Sequence, residues 1–110
     1  MDNLIQGVFC DICGTLFDGG ATRVNDALLK TLREYEKQGK VIHLWTGGNP
    51  DTYRKNILRF GINWPILEKW KFEGKTMEIV IDDDPEEKFL REYRIKAQKF
   101  ISVWGWFNPL

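Results

Sequence analysis

The sequence predicts an α/β fold in which helices cover both faces of a five-stranded parallel sheet. Two observations carry this. The apolar runs are short and continuous rather than alternating, as in strands buried on both faces. Segments of helical periodicity fall between them, in the order βαβαββαβ.

Residues 4 to 10, LIQGVFC, read as a short buried strand that ends at Asp11. The Gly-rich turn GTLFDGGATR leads into a helix over about 24 to 38. Ala27, Leu28, Leu32 and Tyr35 line one face of that helix, Asn25 is its cap and Gly39 ends it. VIHLW (41 to 45) is a second strand, running straight into Thr46-Gly47-Gly48. Asn49 and Pro50 open a second helix, about 50 to 60, which Gly61 terminates. INWPIL reads as a third strand, interrupted by Pro65. MEIVI (77 to 81) is a fourth, landing on Asp82-Asp83-Asp84. PEEKFLREYRIKA is a third helix with Phe89, Leu90, Tyr93 and Ala97 on one stripe, and KFISVW is a fifth strand. No repeat, linker or low-complexity segment divides the chain. Residues 1 to 110 are therefore expected to form one domain, a Rossmann-like three-layer sandwich.

Length and composition narrow the possibilities further. A chain of 110 residues buries one core and is too short for two. At 43% hydrophobic and 14% aromatic it is globular. Sixteen basic and sixteen acidic residues cancel, which argues against bulk attraction to nucleic acid or to an anionic membrane. No apolar stretch approaches the ~20 residues of a membrane span, and MDNLIQGVF lacks the marks of a signal peptide. Two cysteines three positions apart cannot staple a secreted fold, so a cytoplasmic setting is expected.

An open parallel sheet binds ligands beyond the carboxyl ends of its strands. Asp11 follows the first strand, Thr46-Gly47-Gly48 the second, Lys69 and Lys71 the third, and the acidic triplet the fourth. Clustered carboxylates are costly unless a cation neutralises them, and hard oxygen ligands suit Mg²⁺. A hydroxyl, Gly amides at a helix start and a lysine suit a phosphoryl group. Together they describe metal-assisted phosphoryl transfer with a carboxylate nucleophile. A purely structural Asp11 capping a turn would leave the acidic triplet unexplained.

These segments resemble the motifs of the haloacid dehalogenase-like (HAD) hydrolases. VFCDICGTLF is similar to their first motif, an apolar strand followed by D-x-D-G-T-L. VIHLWTGG is similar to the second, EIVIDDDP to the fourth, and a lysine between these two is the third; the resemblance spans about 4 to 104. It implies the strand order 5-4-1-2-3, with Asp11 as the nucleophile that accepts a phosphoryl group. Thr46 and the Gly47 amide would hold the phosphoryl oxygens. The lysine would neutralise their charge; Lys69 is favoured over Lys71, and over Lys75, which should start on the opposite edge. Mg²⁺ would sit on Asp11, the backbone carbonyl of Cys13 and a carboxylate of the triplet, with Asp83 favoured and Asp82 beside it. The substrate would be a phosphorylated molecule of unspecified identity.

One departure stands out. The family's phosphatases carry a second aspartate, the general acid and base, where this chain has Cys13. A thiol of unperturbed pKa ~8.5 is a poor acid near neutrality and a poorer base. Relatives that cleave carbon–halogen or carbon–phosphorus bonds also lack this aspartate, but generally carry a cap domain for which 110 residues leave no room. The expectation is a weak or altered Mg²⁺-dependent phosphatase without a cap. The alternative is a catalytically silent module that binds a phosphorylated ligand or a protein partner.

Other residues have plainer readings. Cys10, within an apolar strand, should point into the core rather than form a redox pair with Cys13. His43 is the only histidine, so zinc lacks ligands, and a packed histidine is expected. Asp84-Pro85-Glu86-Glu87 reads as a helix cap. The aromatic tail WGWFNPL leaves the last strand at the active edge, either folded over the sheet or serving as a lid or homo-oligomer contact.

Overall fold

The run Leu4–Asp11 forms β1, and its alternating side chains divide the molecule into two cores. The computed structural model describes residues 4–103. In chain order the remaining elements are α1 (Asp26–Lys37), β2 (Ile42–Thr46), α2 (Asp51–Arg59), β3 (Ile66–Glu68), a 3₁₀ turn (Lys69–Phe72), β4 (Thr76–Asp82), α3 (Glu86–Tyr93) and β5 (Lys96–Ser102). All strand pairings are parallel, in the order β3-β2-β1-β4-β5. This is an α/β arrangement compatible with a Rossmann-like sandwich, and the expected series of elements and strand order are both present.

On one face Val8, Cys10, Leu44, Ile79 and Ile81 meet Leu28 and Leu32 of α1 and Ile57 of α2. On the other, Phe9, Trp45, Met77 and Val80 meet Phe89 and Tyr93 of α3. Each fully buried Phe or Leu of this kind contributes about 1.5–3 kcal/mol relative to exposure. His43 is half-buried rather than a core residue; its ring stacks on Phe9 at 4.5 Å and 6°, and burial lowers its pKa.

Several local expectations are corrected. Asn25 does cap α1, its side chain accepting from the Leu28 N–H at 3.1 Å. However, Ala27 faces solvent, and Leu29 packs toward the core in its place. Of INWPIL only Ile66 and Leu67, after Pro65, are strand, within Ile66–Glu68, because proline cannot donate into the ladder. Asp84 does not cap α3. Pro85 holds the cap position without a side-chain bond, and Asp84 pairs with Lys88 at 3.2 Å.

The largest correction falls at the end of α3, which stops at Tyr93 instead of running through Ala97. Arg94 adopts the left-handed conformation at φ 56°, and the Lys96 N–H donates to the Lys75 carbonyl at 3.0 Å. Ile95, in the link, and Ala97, in β5, then pack on the second core outside any helix, and Leu90 is left exposed. The tail, residues 104 to 110, lies outside the described residues. Among the described residues no helix is long and apolar enough to cross a membrane.

At the amino end of the sheet, β1 carries an irregularity between Ile5 and Val8. Gly7 takes φ +119° there, and a Cβ would meet the Val41 carbonyl at 2.9 Å, so only glycine fits. The Gly7 N–H donates to Glu78 at 2.8 Å, and Lys40 donates to the other oxygen of the same carboxylate. These two bonds, Lys40 first, hold the Glu78 pKa below its ordinary value. A depressed carboxylate pKa contributes stability above the unfolded-state value of about 4.3, and that stability fades as pH falls through the folded value. Glu78→Gln is thus expected to lower the melting temperature by a few degrees at pH 7. Its gap from the parent protein should close below about pH 4, as thermal unfolding across a pH series would reveal.

Candidate active site

Parallel pairing brings the carboxyl ends of four strands level. Asp11 lies opposite Trp45, Cys10 opposite Ile81, and Thr46 opposite Glu68. Asp11, Thr46, Lys69 and Asp82 therefore cluster at one edge. Seven residues, Lys69 to Lys75, connect β3 to β4 across two intervening strands, where a parallel crossover commonly takes a dozen or more. The chain manages this by lying flat on the second core, with Phe72 against Phe9 at 6.0 Å and Trp45 at 5.8 Å. Lys69 opens this crossover, and its side chain turns back over the strand ends.

The Lys69 ammonium sits 2.8 Å from Asp11 Oδ1 and 3.0 Å from Asp82 Oδ2, and all three residues are buried. Its Nζ also lies 4.8 Å from the Tyr93 ring centre and 5.6 Å from that of Phe89. Burial pushes the Asp11 pKa up against the pull of Lys69. Burial, then the charge of Asp11, pushes Asp82 up to about 7. For Lys69 burial works downward, but the two carboxylates outweigh it and its pKa is raised. One ammonium thus serves two buried acids.

Asp83 adds a third carboxylate, half-buried. Its Oδ2 would lie 2.8 Å from a Cβ on Gly14, whose φ of +82° also favours glycine. Thr15 Oγ1 lies 2.9 Å from Asp11 Oδ2 and 3.2 Å from Asp83 Oδ1, so one hydroxyl proton serves two acids. One oxygen each from Asp11, Asp82 and Asp83 can be chosen so that all lie within 4.8 Å of one another. Three hard, under-neutralised oxygens at this spacing fit a small divalent cation such as Mg²⁺. The two aspartates of β4's end differ in their bonding. Asp82 is committed through both oxygens, to Lys69 and to the Asp84 N–H at 3.0 Å. Among the described residues, Asp83 is held only through Thr15.

The β2–α2 loop supplies the polar groups opposite. Thr46 is buried, and its hydroxyl oxygen accepts from the Gly48 N–H at 3.1 Å, which leaves its proton to donate elsewhere. The Gly47 carbonyl accepts from the Trp70 indole at 3.0 Å. A Cβ at Gly47 would meet the Tyr93 hydroxyl at 2.9 Å, so a larger residue there would have to push the tyrosine aside.

The structure thus brings together Asp11, Thr46, Gly47, Lys69, Asp82 and Asp83, while Lys71 and Lys75 are exposed. Cys10 is fully buried in the first core and Cys13 is half-buried. The Cys13 thiol reaches the Gly19 carbonyl at 3.7 Å and is not grouped with the carboxylates. Burial raises both thiol pKa values, the opposite of a redox-active pair. Thr15, Trp70 and Tyr93 were not assigned to the site from sequence. Thr15 stands four residues after Asp11 and Trp70 directly after Lys69, so adjacency was the available signal. Tyr93 read simply as part of a helix stripe.

Comparison with known protein families, with curated proteins and with solved structures finds no match to this chain. The geometry itself has a direct consequence for stability. Lys69→Met would strand two buried carboxylates, and removing one partner of a buried ionic set costs about 3–5 kcal/mol. Urea unfolding at pH 8 should report a loss of that order.

Proposed function

We propose that the protein is a Mg²⁺-dependent phosphatase of the HAD-like type, working through an aspartyl phosphate on Asp11. The observation that carries this reading is the buried Asp11 carboxylate, held between Lys69 and Thr15 beside the end of β2, which runs into the Thr46–Gly48 loop. The observed strand order and the Asp82-Asp83 pair at the next strand end support it. The substrate is a phosphate monoester, and the setting is taken to be cytoplasmic, without a nucleic-acid or membrane partner.

In this mechanism an Asp11 oxygen attacks phosphorus, the ester P–O bond breaks, and the leaving oxygen takes up a proton. Water then attacks phosphorus, which releases phosphate and restores the carboxylate. Thr15 and Lys69 each hold one Asp11 oxygen, so the carboxylate plane is fixed before the reaction. Lys69 opposes the rise that burial imposes on the Asp11 pKa, and it offsets phosphoryl charge. Thr46, with its hydroxyl proton uncommitted, donates to a phosphoryl oxygen. Asp82 positions the lysine. Mg²⁺, held by Asp11, Asp83 and the Cys13 carbonyl, would supply Lewis-acid neutralisation of the transferring group.

Cys13 limits the scheme. Its thiol pKa is raised by burial, so it is a weak proton donor and is not available as a base. A module that binds phosphate esters without turning them over is the second reading, and this thiol is the observation that favours it.

The test combines binding with turnover. Mg²⁺ is expected to raise the melting temperature, Asp83→Asn to remove most of that shift, and an aryl phosphate to be hydrolysed only with Mg²⁺. Asp11→Asn should abolish turnover. A melting curve indifferent to Mg²⁺ would defeat the metal site, and Mg²⁺ binding without turnover would select the silent module.

A second expectation concerns Cys13→Asp. It should leave the Mg²⁺ shift nearly intact and raise turnover by ~10², if acid–base catalysis is what is missing. An aryl phosphate with a good leaving group should show a smaller gain in its first step. A variant that binds Mg²⁺ yet turns over no faster would place the deficit elsewhere.

A further inference from the structure

We infer that Trp70 is a preformed aromatic plate at the rim of this site, selecting phosphate monoesters whose organic part carries a planar aromatic ring. The inference rests on the phosphatase reading only for the location of the phosphate. The plate itself is a property of the fold.

Three constraints fix the indole. Its backbone belongs to the tight Lys69–Phe72 turn. Its N–H donates to the Gly47 carbonyl at 3.0 Å. Its ring rests against Tyr93, with centroids 4.7 Å apart and planes tilted by 53°. Yet the residue is 49% exposed, while Lys69 and Phe72 of the same turn face inward. Val41, Leu58 and Leu90 are the other large apolar side chains left exposed among the described residues. Of these four, only Trp70 is aromatic and bonded to a loop of the site.

Its position relative to the charge is also defined. The Tyr93 ring links the two, lying 4.8 Å from Lys69 Nζ and 4.7 Å from the Trp70 ring. A phosphate beside Lys69 and Thr46 therefore has the Trp70 surface as its aromatic neighbour, for a ring carried on the ester oxygen directly, as in an aryl ester, or through a sugar, as in a nucleotide. Because the indole is already ordered, stacking on it costs little further entropy. Base–aromatic stacking of this kind is commonly worth at least about a tenfold change in affinity.

Equilibrium binding in Mg²⁺ tests the plate without relying on turnover. Adenosine monophosphate and phenyl phosphate carry a ring; ribose 5-phosphate and glycerol 3-phosphate do not. The parent protein should bind the first pair about tenfold tighter than the second. Trp70→Ala should bring all four to a common affinity. Trp70→Phe, which loses the bond to Gly47 but keeps an aromatic face, should retain most of the preference. Tighter binding of the nucleotide than of phenyl phosphate points to a nucleotide as the source of the ring, and the reverse to a small aryl ester. Equal affinities in the parent protein, or a preference that survives Trp70→Ala, overturn the proposal. Hydrolysis without ring preference removes the plate and leaves the phosphatase reading. Ring preference without hydrolysis removes that reading and leaves the plate.

Discussion

The Lys69 ammonium, buried between two carboxylates, is the constraint on which the carboxyl edge of the sheet depends. It ties the end of β1 to the end of β4 through side chains. It also anchors the start of the crossover that joins β3 to β4. Buried ionic sets of this kind seldom add net stability, because desolvation offsets their attraction. Here the imbalance is larger, since one ammonium faces Asp11 and Asp82 while Asp83 shares a single hydroxyl donor with Asp11. A fold with no use for the charge would gain by replacing the set with apolar side chains. Its retention where a parallel sheet binds ligands is the physical reason for reading it as a site rather than as scaffolding.

The short crossover has further consequences. A helical connection would have carried the chain away from the sheet, and the residue after β3 with it. Seven residues in a flat path instead keep Lys69 over the strand ends and press Phe72 onto Phe9 and Trp45. The same path turns Trp70 outward against Gly47 and Tyr93. Tyr93 in turn lies where a side chain at position 47 would have to displace it. The lysine, the β2–α2 loop and the end of α3 therefore share one packing problem, and a change at any of them would be felt at the others.

The sheet was legible in the sequence because its strands are buried on both faces and read as unbroken apolar runs. Their ends were legible for the same reason, since Asp11, Thr46 and Asp82 are where each run meets polar residues. Lys69 could be preferred over Lys75 from topology alone, as the two lie at opposite ends of neighbouring elements. Less was legible wherever helix and strand periods overlap. Ala97 suits either, and the left-handed Arg94, which no composition signal marked, ends the helix and leaves Ala97 to the strand. Asp84 carried a cap signature, but a competing ion pair with Lys88 takes its carboxylate. Thr15, Trp70 and Tyr93 act through contacts made only in three dimensions, which spacing along the chain does not encode.

Cys13 remains the residue on which the proposed chemistry turns, and its environment affects the two steps unequally. Attack by Asp11 needs a proton for the leaving oxygen, and a good leaving group can depart with little help. Hydrolysis of the acyl phosphate needs a base to activate water, whatever the substrate was. A thiol whose pKa is raised by burial stays protonated at neutral pH and cannot be that base. Its sulfur is also engaged with the Gly19 carbonyl at 3.7 Å. In the proposed scheme the second step therefore carries the greater deficit. Substrates with better leaving groups would shift the bottleneck further toward it.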